Sequence, residues 1–290
     1  MCFAANLLLA GSCAGPGPAP LVVPLHDLAT PLTFNGRSAR FAFDTGAGAH
    51  AFASWFADAA GLPVDRAANT QLSGRDFMGI PVDLRTLGRV VGQLPSGDTL
   101  VIESAVVADF LPEMEQAGLG GLLNPQLLAG EGEAAVLDLR VPELRIERFD
   151  VASRRLGAQS ISQAQVQSCR ESDAPVANLR YALRAEARGE TGWLTIDTGA
   201  EMTTLDSDSP LVSTMDLDAG GEVMGVGGVT RNYSIARDLS MSFPGGHVTL
   251  DARVVDPVAS RCGSDGVLGR DVLSRCALVL GRESLATICG

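Results

Sequence analysis

Two short segments of the chain carry the residue types that water-activating chemistry requires. Asp44-Thr45-Gly46-Ala47 follows Arg40-Phe41-Ala42-Phe43, and Asp197-Thr198-Gly199-Ala200 follows Trp193-Leu194-Thr195-Ile196. Peptide hydrolysis needs a water made nucleophilic and a leaving nitrogen that takes up a proton. Two carboxylates within hydrogen-bond reach cannot both ionise easily, so they share one proton. One then acts as base on a water between them, while the protonated partner polarises the carbonyl. Such a pair titrates as a unit with two apparent pKa values. A glycine after each Asp-Thr lets the backbone approach the acid closely and present N–H donors to it. A lone Asp-Thr-Gly reads as an Asx turn. Its duplication points to Asp44 and Asp197 as catalytic, supported by Thr45, Gly46, Ala47, Thr198, Gly199 and Ala200.

The repetition runs well beyond these loops. Gly121-Leu122-Leu123-Asn124-Pro125-Gln126-Leu127-Leu128 is echoed by Gly266-Val267-Leu268-Gly269-Arg270-Asp271-Val272-Leu273. Ala135-Val136-Leu137-Asp138-Leu139 is echoed by Ala277-Leu278-Val279-Leu280-Gly281. The three blocks keep their order and nearly their gaps, with 79 residues from Asp44 to Leu123 and 71 from Asp197 to Leu268. A chain that contains itself twice in this way is built from two similar halves.

The elements around both copies read as β. Leu32-Thr33-Phe34 and Ala39 to Phe43 flank Asn35-Gly36, a strong hairpin signal. Phe41 and Phe43 alternate with Arg40 and Ala42, as in a strand buried on one face. Arg180 to Leu183 and Trp193 to Ile196 flank a turn expected at Gly189 to Gly192. Ser54 is placed to cap a helix from Trp55 to Ala60, with Gly61 as its stop. Pro125 to Leu128 and Arg270 to Leu273 suit single helical turns. Val151 to Pro175, rich in Gln, Ser and Ala, shows no clear period and reads as a connection between the halves.

Paired Asp-Thr-Gly-Ala loops after apolar strands, each with a later apolar-apolar-Gly-type block, resemble aspartic proteases, and within them the retropepsin type duplicated in a single chain. The resemblance spans roughly Leu21 to Ile288. It implies a mostly β fold of two similar retropepsin-like or pepsin-like β-barrel lobes with short helices and a central cleft. It implies, too, that Thr45 and Thr198 bond backbone across the lobe interface. The function expected is that of an aspartic-type endopeptidase (a hydrolase), acting on extended polypeptide without cofactor or metal. The alternative is a catalytically inactive peptide-binding protein of the same fold.

The first copy departs from the pattern at Gly48-Ala49-His50 and at Asn124, which stands where the second copy has Gly269. Asn124 is expected to tolerate a left-handed backbone, and His50 to be a partly exposed strand residue or a cleft-lining one. The family's β-hairpin flaps are placed at Gln71 to Gly79, with Ser73 and Gly74, and at Val223 to Tyr233, with Gly225, Gly227 and Gly228. Neither Ala47 nor Ala200 offers a hydroxyl to the outer carboxylate oxygens, which shifts the expected pH optimum to milder values than in relatives with Ser or Thr there.

Composition removes other chemistries. A net charge of −12 argues against a nucleic-acid partner. All 22 cationic side chains are Arg, which reads as codon bias before function. The three His show no H-E-x-x-H, and there is no G-x-S-x-G elbow. No apolar run reaches the roughly 18 to 20 residues of a membrane span. Residues 1–25 carry no formal charge, and Ala10-Gly11-Ser12-Cys13 resembles a bacterial lipoprotein cleavage box. Residues 1–20 are therefore read as a signal peptide or tether, with a lipid anchor at Cys13. An N-terminal lobe follows over 21–150, a linker over 151–175 and a C-terminal lobe over 176–290. Export to the periplasm, to a membrane-anchored lipoprotein or to the medium follows, as does a monomer. Cys169, Cys262, Cys276 and Cys289 form an even set that suits two disulfides in any of three pairings, although Cys276, beside Ala277-Leu278-Val279, also suits a core thiol.

Overall fold

Asn35 and Gly36 turn the chain through left-handed backbone, at φ 48° and 76°, and join strand Ala29–Phe34 to strand Arg37–Phe43. This hairpin belongs to a computed structural model that describes residues 20–65, 72–75, 81–170, 174, 176–224, 230–256 and 263–290. Alternation along Arg37–Phe43 buries Ala39, Phe41 and Phe43. Phe34, Phe41, Phe52 and Phe56 then fill the core of the first half, with ring centroids 5.1 to 6.5 Å apart. Strand is the dominant element at 53%, about twice the usual share, and the fold is mostly β.

The pairings around the first Asp-Thr-Gly recur around the second. Arg37–Phe43 runs parallel to Leu119–Leu123, which pairs antiparallel with Ala51–Ala53, itself parallel to Ala105–Ala108. In the second half Glu190–Ile196 runs parallel to Gly266–Leu268, which pairs antiparallel with Thr204–Asp206, itself parallel to Gly246–Val255. These strands sit in a ten-stranded and an eight-stranded sheet respectively. A third sheet of six strands draws on both halves. Its two central strands, Glu133–Asp138 and Cys276–Gly281, hold the third sequence echo and pair with each other, Val136 opposite Val279. One apolar cluster runs through both halves.

Three local expectations are corrected. The turn before Glu190–Ile196 is the two-residue Arg188-Gly189, at φ 55° and 84°, so Glu190 to Gly192 belong to the strand. The early helix is Ser54–Ala59, one residue ahead of the expected start, and Ser54 does not cap it. Its hydroxyl donates to Asp109 instead. Between Val151 and Pro175 the chain is no bare connection. Helix Phe149–Leu156 ends at Gly157, Gln159–Ser160 joins the six-stranded sheet, and Val166–Cys169 joins the eight-stranded one. Elements of two to eight residues are too short to show a period.

Cys276 is fully buried and also bridged, to Cys289 directly across a hairpin. Cys169 is disulfide-bonded as well, while Cys2, Cys13 and Cys262 lie outside the described residues. The bridged cysteines are 13 residues apart, and closing a loop of this size in the unfolded chain stabilises the fold by about 3 kcal/mol. Replacing Cys276 and Cys289 together by Ser is expected to remove that much from the unfolding free energy, measured by denaturant titration.

Candidate active site

Each Asp-Thr-Gly begins where a strand ends, at Phe43 and at Ile196, and the two loops meet. Thr45 and Thr198 are both buried, so their hydroxyls must find partners inside the protein. They find them in each other's loop. The Thr45 hydroxyl donates to the Ile196 carbonyl at 2.9 Å and accepts the Thr198 N–H at 3.0 Å. The Thr198 hydroxyl donates to the Phe43 carbonyl at 3.0 Å and accepts the Thr45 N–H at 3.0 Å. Four reciprocal bonds thus tie the two halves at the base of the site.

The carboxylates are held by their own loops. Asp44 Oδ1 accepts the N–H groups of Gly46 at 2.8 Å and Ala47 at 3.2 Å. Asp197 Oδ1 accepts those of Gly199 at 2.8 Å and Ala200 at 3.0 Å. The glycines are required for a further reason. A Cβ on Gly46 would lie 2.3 Å from Cγ of Asp197, and one on Gly199 would lie 2.7 Å from Oδ2 of Asp44. Each loop therefore packs its glycine against the opposite acid, which brings the two carboxyl groups into hydrogen-bond contact. Gly46→Ala is expected to push the loops apart and cost about 1 to 3 kcal/mol of stability, read as a lowered unfolding midpoint, together with loss of whatever activity the pair supports.

Burial is the main influence on Asp197, which is only 8% exposed. Desolvation first, then the charge of Asp44 and the hydrogen bond with it, push its pKa up from 3.8 to about 8, against the opposing pull of the Gly199 and Ala200 N–H groups. The more exposed Asp44 sits opposite.

The departures in the first copy have specific uses. His50 is not the partly exposed strand residue expected, being 3% exposed with its Nδ1 accepting the Asn124 N–H at 3.2 Å. In the second half the Thr203 hydroxyl does the same for the Gly269 N–H at 3.1 Å. Both residues stand six positions after their Asp. Asn124 is not left-handed, its φ being −78°. Its value lies in the side chain, which donates to the carbonyls of Ala47 at 2.6 Å, Gly48 at 3.2 Å and Leu179 at 2.7 Å.

Other braces escaped the sequence reading. Gln126 donates to the Thr45 carbonyl at 3.0 Å, two positions after Asn124. Asp271, two after Gly269, accepts the Thr203 N–H at 2.9 Å and its hydroxyl at 2.9 Å. Arg180 reaches across from the second half to donate to the Gly46 carbonyl at 2.9 Å. The six-residue spacing from each Asp, together with the paired positions Gln126 and Asp271, was the available signal.

Of the flap residues, Ser73 and Gly74 lie in strand Leu72–Arg75, opposite Asp83 and Val82 of Pro81–Leu87. Gly225, Gly227 and Gly228 lie outside the described residues, beyond the end of the ladder between Asp218–Met224 and Thr230–Phe243. No family model and no curated protein matches the chain.

Proposed function

We propose that the chain is an aspartic endopeptidase that cleaves peptide bonds through a water activated between Asp44 and Asp197. The observation that carries this reading is the reciprocal seating of Gly46 against Asp197 and of Gly199 against Asp44. No structural need explains two acids forced together at the meeting point of two halves. A shared-proton catalyst requires it. Asp197, in the more buried position, holds the shared proton and polarises the substrate carbonyl, while Asp44 takes the proton of the attacking water. The proton then passes to the leaving nitrogen. The chemistry needs no cofactor.

The repeated strand pairings support two retropepsin-like lobes with the acids in a cleft between them. Extended polypeptide would lie in that cleft, bonded through its main chain. The hairpins that carry Ser73 and Gly74, and that lead into Gly225, Gly227 and Gly228, are assigned as its covering flaps. Both Asp-Thr-Gly copies reside in one chain, so a monomer suffices. A disulfide between Cys276 and Cys289 fits an oxidising compartment and hence export, with Cys13 as lipid anchor. No helix among the described residues is long and apolar enough to cross a membrane. The test is digestion of an unstructured polypeptide by the wild-type and Asp197→Asn chains in parallel, with fragments read by mass spectrometry.

A further inference from the structure

Away from the paired acids, the described residues form a cleft of about 120 Å³ whose lining includes His50, Ser104, Arg170, Leu179 and Arg282. Its polar wall carries four donor side chains, His50, Ser104, Arg170 and Arg282, beside the mixed amide of Asn178 and the carboxylate of Glu103. His50 accepts at Nδ1 from the Asn124 N–H, so the neutral ring carries its proton on Nε2. Ser104 accepts the Ala177 N–H at 3.2 Å and keeps its own proton to give. Arg170 donates from Nη2 to the Arg282 carbonyl, and Arg282 donates from Nε to the Ala129 carbonyl at 2.7 Å. Those bonds fix both guanidinium groups at one rim, and among the described residues neither is paired with a carboxylate. The one acid on the lining among the described residues, Glu103, lies 3.5 Å from Arg89. Leu127, Ala177 and Leu179 supply an apolar floor.

We propose that this cleft binds a carboxylate carried on a short apolar stem, the chemistry shared by the C-terminal residue of a peptide and by small organic acids. A planar carboxylate matches the fork of a guanidinium and takes charge-assisted bonds from it. The His50 N–H and the Ser104 hydroxyl supply further donors, and the floor receives the stem. The site is separate from Asp44 and Asp197, yet it is joined to them. The same Asn124 that bonds His50 also holds the carbonyls of Ala47 and Gly48 in the Asp44 loop. An occupant on His50 therefore bears on that loop through two consecutive hydrogen bonds.

Calorimetric titration of the full chain tests this without reference to cleavage. The probes are N-acetyl-alanine, propionate, the uncharged N-acetyl-alanine amide, and sulfate. Saturable binding of N-acetyl-alanine is expected, with none of the amide. Affinity should fall at least about tenfold in the Arg170→Gln/Arg282→Gln chain, and a cooperative unfolding transition of the unliganded variant shows that the fold is kept although two side-chain bonds to backbone carbonyls are lost. N-acetyl-alanine binding more tightly than propionate would identify a peptide terminus as the ligand, and parity would identify a small acid. The proposal is overturned if the amide or sulfate binds as tightly as the carboxylates, if no probe saturates, or if the double substitution leaves affinity untouched.

Discussion

Asp197→Asn should abolish peptide-bond cleavage, with a fall of roughly 10³- to 10⁴-fold, while leaving the chain folded. The amide keeps an oxygen that can still accept the N–H groups of Gly199 and Ala200, which now bond Asp197 Oδ1 at 2.8 and 3.0 Å. The four Thr45–Thr198 bonds below it are untouched. What disappears is the exchangeable proton, and with it both the polarising acid and the asymmetry that leaves Asp44 as base. Asp44→Asn should be equally damaging, because the water then has no group to receive its proton. Stability should move the other way. Burial opposes charge on Asp197, so an uncharged amide removes a desolvation cost, and the variant should outlast the wild type at alkaline pH. An inactive peptide-binding protein makes a contrasting prediction: wild type and variant would both retain peptide and release no fragments. Identical fragments from both chains would equally sink the assignment.

The paired acids were legible because chemistry of the kind proposed restricts its groups to few types at fixed spacing. Asp44 and Asp197 stood out through repetition, and the repeated blocks at Leu123 and Leu268 located the strands that run beside them. The third echo proved to be more than a repeat, since its copies pair with each other at Val136 and Val279. Individual sequence blocks cannot announce that, because the partner of a strand is set by register over the whole fold. The same limit hid Arg180, whose bond to Gly46 spans 134 residues of chain. His50 was misjudged for a different reason. An imidazole among Gly and Ala residues looks exposed until its counterpart Thr203 shows that position six after the Asp points inward to hold a backbone N–H. Asn124 was read through its backbone, whereas its side chain does the bracing. A polar residue that replaces a glycine beside a tight loop can supply bonds as well as tolerate strain.

Activity and stability should both persist to near-neutral pH, with limits set by two groups of opposite behaviour. Asp197 has its pKa raised from 3.8 to about 8, so between those values the folded chain holds a proton that the unfolded chain has lost. Its contribution to stability is complete below 3.8 and is lost as pH rises through 8. His50 is shifted the other way by burial, from 6.5 to about 3, and in that window the unfolded chain holds the extra proton. Its contribution is complete above 6.5 and is lost as pH falls through 3. Each slope is about 1.4 kcal/mol per pH unit. Between roughly pH 4 and 6.5 the two cancel and stability should be flat. Above that plateau the Asp197 slope stands alone and removes about 2 kcal/mol by pH 8, and below it the His50 slope removes about 1 kcal/mol by pH 3. Cleavage needs the singly protonated pair, so its rate should fall about tenfold per pH unit beyond 8. Urea unfolding across pH 3 to 9 measures the stability profile, and two variants separate its limbs. Asp197→Asn should flatten the alkaline limb and uncover the His50 slope, so that stability rises with pH up to about 6.5. His50→Thr, which installs the hydroxyl used at Thr203, should flatten the acid limb and turn the plateau into a fall that runs from about pH 4 to 8. A wild-type rate profile that peaks below about 3, between the two low values of a strongly acidic shared-proton dyad, would show that Asp197 gives up its proton far more readily than its buried position implies.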